Sequence, residues 1–115
     1  MKTAALLACL SLLFASTTRA GEGVQVKITN DGTQDIMVTV YDRNAATGHI
    51  VMQGTRINGF TSVPITVVGD ASGKANLSWT AISADTASPK CGYGDVQGIA
   101  DDSTLSVHVE AGCGA

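Results

Sequence analysis

Apolar and polar residues alternate along several short segments of the chain, and this period of two predicts β-strands. Residues 24–28 and 36–40 each carry an apolar side chain at every second position. Asn30-Asp31-Gly32 lies between them and supplies turn residues, which predicts that the two segments pair as a β-hairpin. A loop over residues 43–48 and a short third strand over residues 49–53 follow.

The same alternation returns in the middle of the chain and near its end. Residues 63–67 and 76–82 are apolar on one side, and Trp79 lies on the inward side of the second segment. Pro64 cannot donate a hydrogen bond to a neighbouring strand, so its strand is predicted to lie at a sheet edge. Residues 104–110 alternate again and are predicted to form the last strand.

Residues 83–103 lose the alternation, which predicts a long loop, and loops of this length in compact domains are usually functional or disordered. We interpret this one as ordered, because a cysteine within it can anchor it to the rest of the domain. It carries the candidate binding residues Tyr93, Asp95, Asp101 and Asp102. Tyr93 lies between glycines, either as an exposed anchor for a partner or folded back against the end of the domain. The three aspartates fit solvated surface charge, although oxygen-rich groups of this kind also bind Ca²⁺.

The composition of residues 21–115 agrees with strands: it contains eleven valines, seven isoleucines and ten threonines but only two leucines. Six or seven short strands with regular turn signals predict an all-β fold, a small antiparallel sandwich of two sheets. Residues 67–77 contain the pattern Asp-x-x-Gly-Lys-Ala-x-Leu. This hairpin resembles one found in bacterial immunoglobulin-like and prealbumin-like sandwich domains, a resemblance that implies an immunoglobulin-like fold and nothing about activity. Trp79 precedes both later cysteines, which departs from true immunoglobulin domains.

The N-terminus has the pattern of a secretory signal peptide. Lys2 precedes an uncharged apolar run over residues 4–15, and a polar stretch ends at Ala20, where cleavage is predicted. The run is too short to span a bilayer as a helix. Cys9 allows an alternative, a lipoprotein cleavage site, but too little apolar sequence precedes it. We therefore predict a secreted or periplasmic domain over residues 21–115.

The charge of that domain limits the classes of partner. Residues 21–115 contain five basic and ten acidic residues, a net charge of −5. Binding to nucleic acid or to anionic membranes needs clustered lysine and arginine, so neither is predicted. A cationic partner suits the domain better.

Two cysteines, Cys91 and Cys113, remain after signal-peptide cleavage. In an oxidising compartment, an even pair without metal-type spacing predicts a disulfide bond, which we assign to these two residues. The alternative is two free thiols. The bond would hold the C-terminal tail against the long loop.

The chain contains none of the common catalytic or phosphate-binding motifs, and no enzyme activity, metal or cofactor is predicted. The leading hypothesis is an exported, non-enzymatic binding or accessory module that contacts a protein or glycan through the loops over residues 84–103 and 43–48. One alternative is an envelope enzyme inhibitor with an acidic loop. A second is a small metal-dependent hydrolase that uses His49 or His108, although His108 is predicted to be an ordinary exposed strand residue. Self-assembly through the Pro64 strand is a further possibility, and the oligomeric state stays open.

Overall fold

The chain forms two β-sheets that pack face to face in a sandwich-like arrangement. The computed structural model describes residues 23–46 and 49–113, so the predicted signal peptide over residues 1–20 lies outside the described residues. No helix occurs in the described part of the chain. Its eight strands are β1 (Gly23–Asn30), β2 (Ile36–Asp42), β3 (His49–Ile57), β4 (Ser62–Val68), β5 (Ala75–Ser83), β6 (Lys90–Ile99), β7 (Ser103–Val107) and β8 (Ala111–Gly112).

The three-stranded sheet has the order β4-β1-β7, and the five-stranded sheet has the order β3-β2-β5-β6-β8. The prediction of an all-β chain with two sheets is therefore confirmed. The structure has more strands than the six or seven predicted, and it is not purely antiparallel, because β1 pairs with β7 in parallel. Strand β4, which contains Pro64, is an edge strand, as its proline predicts.

The apolar side chains of the alternating strands meet between the two sheets and form one core. β1 buries three apolar side chains and Asn30, and β2 buries the side chain at every second position. Trp79 on β5 is 5 % exposed, as predicted for an inward position. The buried apolar residues are Val24, Val26, Ile28, Ile36, Val38, Val40, Met52, Ile57, Val67, Ala75, Leu77, Trp79, Ala81, Ile99, Leu105 and Val107.

The predicted hairpin of β1 and β2 is wrong, because these strands belong to different sheets. β1 pairs with β4 and β7, whereas β2 pairs with β3 and β5. The buried Asn30 side chain closes the corner between the sheets. Its Nδ2 donates to the carbonyl oxygens of Gln34 (2.7 Å) and Ile57 (3.0 Å), and its Oδ1 accepts from the N–H of Gly32 (3.0 Å). Alternation predicts one buried face for each strand, which two strands facing each other across the sandwich satisfy as well as a hairpin does.

The predicted long loop over residues 83–103 is also wrong, because β6 occupies its second half. β6 pairs with β5 along most of its length, from Cys91 opposite Ile82 to Ile99 opposite Ala75. Its alternation is hidden because glycines occupy inward positions. A Cβ on Gly94 would lie 2.5 Å from the Trp79 indole nitrogen, and one on Gly92 would overlap the His108 carbonyl oxygen. Neighbouring groups fill the space that apolar side chains occupy in the other strands.

Candidate functional site

The outer face of the five-stranded sheet is the surface of the sandwich that contains the most exposed aromatic side chain. We define the outer face as the solvent-facing residues of its four longer strands. In register, these residues form three rows across the sheet: Arg56-Met37-Ile82-Cys91, then Thr39-Thr80-Tyr93, then Ile50-Tyr41-Ser78-Asp95. None of them is buried, whereas the alternate residues of β2 and β5 form the core.

Tyr93 is at the centre of the β6 side of this face. Its side chain is 84 % exposed, more than any other large apolar side chain described. Thr80 lies directly opposite it on β5, and Thr39 continues the row on β2. The backbone of Tyr93 is held in the sheet, and its side chain has few rotatable bonds. A partner would therefore bind the ring at a small cost in conformational entropy.

Two further exposed apolar groups extend the face. Ile82 is 40 % exposed one row from Tyr93, and Ile50 is 40 % exposed on β3. Met37 and Tyr41 lie between them and are half-buried. Isolated surface leucines or isoleucines are ordinary, but aligned apolar residues around a tyrosine are typical of the centre of an interface.

One side of the face ends in an ion pair between β6 and the segment after β2. The Arg43 guanidinium donates to Asp95 Oδ2 (3.2 Å) and to Ser78 Oγ (2.8 Å). Both charged side chains are about half exposed, so the pair contributes little to folding stability. Both charges remain available to a partner.

The opposite side of the face ends in a second charged cluster. Arg56 Nη2 donates to Asp35 Oδ2 (2.8 Å) and also to Asp85 Oδ2. The carboxylate of Asp85, and next that of Asp35, raises the pKa of Arg56 above its ordinary value, and hydrogen bonds from Arg56 lower the pKa of both acids. Asp35 also accepts from the N–H of Gly59 (3.0 Å). The outer face is therefore uncharged and partly apolar in its middle, and it carries a charged cluster at each end.

The structure separates the four predicted binding residues into two groups. Tyr93 and Asp95 lie on β6, on the outer face, rather than in a loop. Asp101 and Asp102 lie in the turn from β6 to β7 and hold β1, because Asp101 Oδ1 accepts from the N–H of Gln25 (2.8 Å) and the N–H of Asp102 donates to its carbonyl (2.8 Å). Within residues 23–46 and 49–113, no group of three His, Cys, Asp or Glu side chains is arranged to hold a metal ion.

The predicted disulfide between Cys91 and Cys113 is present, with 5.1 Å between the two Cα atoms. It attaches β8 to the start of β6, where Ala111 pairs with Cys91 and Gly112 with Lys90. A hollow of about 310 Å³ lies beside the bond, with Tyr93 and Glu110 in its walls.

The two histidines lie in different parts of the molecule. His49 starts β3 at one edge of the five-stranded sheet, whereas His108 follows β7 and packs edge-on against Trp79, with 5.9 Å between the ring centroids. His108 is not an ordinary exposed strand residue. Its Nε2 lies 3.3 Å from Glu110 Oε1, and its Nδ1 lies 3.7 Å from Asp31 Oδ1. It lines a cleft of about 250 Å³ with Lys90.

Sequence reasoning found Tyr93 and Asp95 but missed the rest of the outer face. Ser78, Thr80 and Ile82 alternate with the inward residues of β5, so the predicted strand already implied that they face solvent. An isoleucine at a solvent-facing strand position, Ile82, is a sequence signal that this face can contact a partner. That Tyr93 and Asp95 lie beside these residues could not be seen from the sequence, because it predicts a loop where β6 is.

Comparisons with known proteins leave the family open. No protein-family model matches the chain, and neither does any curated protein. A solved structure described as "Crystal Structure of Gram Negative Toxin" is similar over 76 % of this chain and 20 % of its own, with 16 % sequence identity and a TM-score of 0.41. The chain thus spans one fifth of that protein's length. Over residues 23–46 and 49–113, the structure has no helix long and apolar enough to cross a membrane.

Proposed function

We propose that this chain is an exported, non-enzymatic recognition module that binds a partner protein through the outer face of its five-stranded sheet. The observation that carries the proposal is the 84 % exposure of Tyr93 on a strand that pairs with β5 along most of its length. Tyrosine is among the residues most enriched at the energetic centres of interfaces, and an ordered strand presents it at low entropic cost.

The surroundings of Tyr93 favour a protein over a glycan as the partner. Ile82, Met37 and Ile50 offer aliphatic surface on the same face, and Arg56 and Arg43 lie at its margins. Tyrosine, methionine and arginine are enriched in protein interfaces, whose rims are polar. The acidic net charge of residues 21–115 favours a partner with a basic surface.

The export of the module and its immunoglobulin-like type belong to the same proposal. The signal-peptide pattern of residues 1–20 and the disulfide, a bond that persists in oxidising compartments, support export. The two facing sheets and the hairpin resemblance over residues 67–77 support an immunoglobulin-like sandwich. The proposal moves the contact surface from the loops, where the sequence predicts it, to a sheet face.

The test is cross-linking of the tagged protein in its native envelope or culture fluid, with wild type compared with Tyr93→Ala. We expect a stoichiometric partner protein whose affinity falls about 30-fold in the variant, because exposed aromatic anchors contribute about 2 kcal/mol or more. Phe60→Asn is the matched control. Phe60 is 69 % exposed in the turn between β3 and β4 with φ 59°, a conformation that asparagine tolerates.

Equal capture by wild type and Tyr93→Ala would contradict the proposal. Binding to an immobilised glycan with no protein partner would keep the outer face as the site but replace the class of partner. Loss of capture in Phe60→Asn alone would place the interface at the β3 to β4 turn.

A further inference from the structure

Strand β6 has one paired edge and one open edge. β5 covers the first edge along most of the strand, but β8 has only two residues and pairs only with Lys90 and Cys91. Among the described strands, no other pairs with β6 on this second side. Within residues 23–46 and 49–113, the edge from Tyr93 to Gln97 therefore has no paired strand on this side, and it lies directly beside the exposed ring of Tyr93.

The backbone groups that point to this open edge can be assigned from their neighbours. The carbonyl of Cys91 accepts from the N–H of Glu110 (3.0 Å), so the backbone of Cys91 points toward β8. Backbone groups alternate in direction along a strand, and those of Tyr93 and Asp95 therefore point to the same side. Both residues present an N–H and a carbonyl to an edge where an added strand can pair.

Apart from the charge of Asp95, the open edge lacks the features that proteins use to block strand addition. It contains no proline or lysine between Gly92 and Gln97, and the bulge that bends it comes only at its end, where Gly98 has φ 71°. The hollow beside the disulfide is lined by residues of β8 and by Tyr93.

The charges at the edge specify the chemistry of the added strand. Asp95 projects on the outer face two residues from Tyr93, with its half-exposed carboxylate 3.2 Å from Arg43 Nη1, and Glu110 lines the hollow beside the disulfide. Side chains of an added strand alternate between the two faces, so residues opposite Tyr93 and Asp95 both lie on the outer face. An apolar or β-branched residue fits beside Tyr93, and a lysine or arginine fits beside Asp95.

We propose that the partner protein binds by adding an extended, basic strand antiparallel to β6 along its open edge, with its side chains packed on Tyr93 and Asp95. This inference rests on the proposed function, because it names how the partner meets the β6 side of the outer face. Main-chain hydrogen bonds to Tyr93 and Asp95 supply affinity, and the alternating side chains supply selectivity.

The probe is a capped peptide of about seven residues that carries a lysine and, two residues later, a valine on one face, with threonine at the intervening positions, so that lysine lies beside Asp95 and valine beside Tyr93 when the peptide runs antiparallel to β6. Two further versions carry N-methyl groups on every second residue, in the two possible phases. One phase removes the N–H groups that face β6, and the other removes only those that face solvent. We expect the first phase to lose affinity about tenfold and the second to keep it, because two hydrogen bonds are lost in the first alone.

The binding site is located by amide hydrogen exchange on isotope-labelled protein. The methylated peptide that keeps its affinity is expected to slow the hydrogen exchange of the Tyr93 and Asp95 amides about tenfold or more, since both amides become hydrogen-bonded to it. Asp95→Asn is expected to weaken binding about threefold at low salt. The matched control is Asp102→Asn, which removes the same charge from the turn that faces β1, at a φ of 63° that asparagine tolerates.

Equal affinity of the two methylated phases, or no change in the Tyr93 and Asp95 amides at saturating peptide, would overturn strand addition. If partner capture still depended on Tyr93 in that case, the outer face would stand as the binding surface without an added strand. If the amides were protected but capture did not depend on Tyr93, strand addition would stand and the proposed role of the outer face would fall.

Discussion

Strands β5 and β6 are direct neighbours in one sheet, yet β5 contributes large apolar side chains to the core and β6 contributes few. β5 buries Leu77, Trp79 and Ala81 at every second position and has a paired strand on both sides. β6 buries little more than glycine and Ile99 and has one largely free edge. The comparison shows that a strand can be fixed by its neighbours rather than by its own apolar side chains. It also shows where surface is left for binding.

The largest expected difference between the two strands is the cost of truncating an apolar side chain. Leu77→Ala on β5 removes a side chain that is fully buried and should lower the free energy of unfolding by about 3 kcal/mol. Val96→Ala on β6 removes one that is 36 % exposed and should cost about 0.5 kcal/mol. Urea unfolding monitored by Trp79 fluorescence measures both. Equal losses would show that β6 contributes its own core.

The disulfide should matter to β6 more than to β5. It joins residues 22 apart in sequence, and the loop-closure model assigns such a bond about 3 kcal/mol of stability. We expect Cys91→Ala with Cys113→Ala to lower stability by about that amount and to increase amide exchange in β6 and β8 first. A uniform loss of amide protection across both sheets would contradict the prediction that the disulfide stabilises β6 and β8 more than the other strands.

A smaller effect should come from the close packing behind Tyr93. Gly94→Ala places a methyl group 2.5 Å from the buried Trp79 indole and should cost about 2 kcal/mol, because neither group has room to move. Gly112→Ala on β8 is the control, since nothing lies within 4 Å of its new methyl group. Thermal unfolding of both variants checks the prediction. An unchanged melting temperature for Gly94→Ala would show that β6 is not held against Trp79.

The smallest effect concerns the hairpin turn that enters β5, and it depends on pH. Hydrogen bonds from the Asn76 side chain and from the N–H groups of Lys74 and Ser72 lower the pKa of Asp70 below its ordinary value. The stability that its carboxylate contributes is therefore present above about pH 4, the unfolded pKa, and is lost as the pH falls through the lower folded pKa.

We expect Asp70→Asn to lower the melting temperature at neutral pH, with the difference from wild type shrinking below about pH 4. Melting curves of both proteins across that range measure it. A difference that stays constant with pH would mean that the turn depends on the shape of Asp70 rather than on its charge.

The same contrast explains which parts of the candidate site could be predicted. Tyr93 and Asp95 stood out because glycines and a cysteine surround them in the sequence. Their place on a sheet face could not be predicted, because β6 has no alternation of its own. Asp101 and Asp102 looked like neighbours of Asp95, but the turn after Ile99 directs them toward β1. Nearness in sequence does not imply a shared surface when a strand end lies between.

The amino-acid sequence by itself determined the all-β class, the buried faces of β1, β2 and β5, the edge position of β4 and the pairing of Cys91 with Cys113. These properties depend on local chemistry: period-two alternation, the missing N–H of Pro64 and the two cysteines that follow the predicted signal peptide. Only the tertiary structure decided that β1 and β2 belong to different sheets, that β1 and β7 run parallel, and that β6 is a strand. Those outcomes depend on contacts between distant segments, such as Trp79 over Gly94, which no single stretch of sequence encodes.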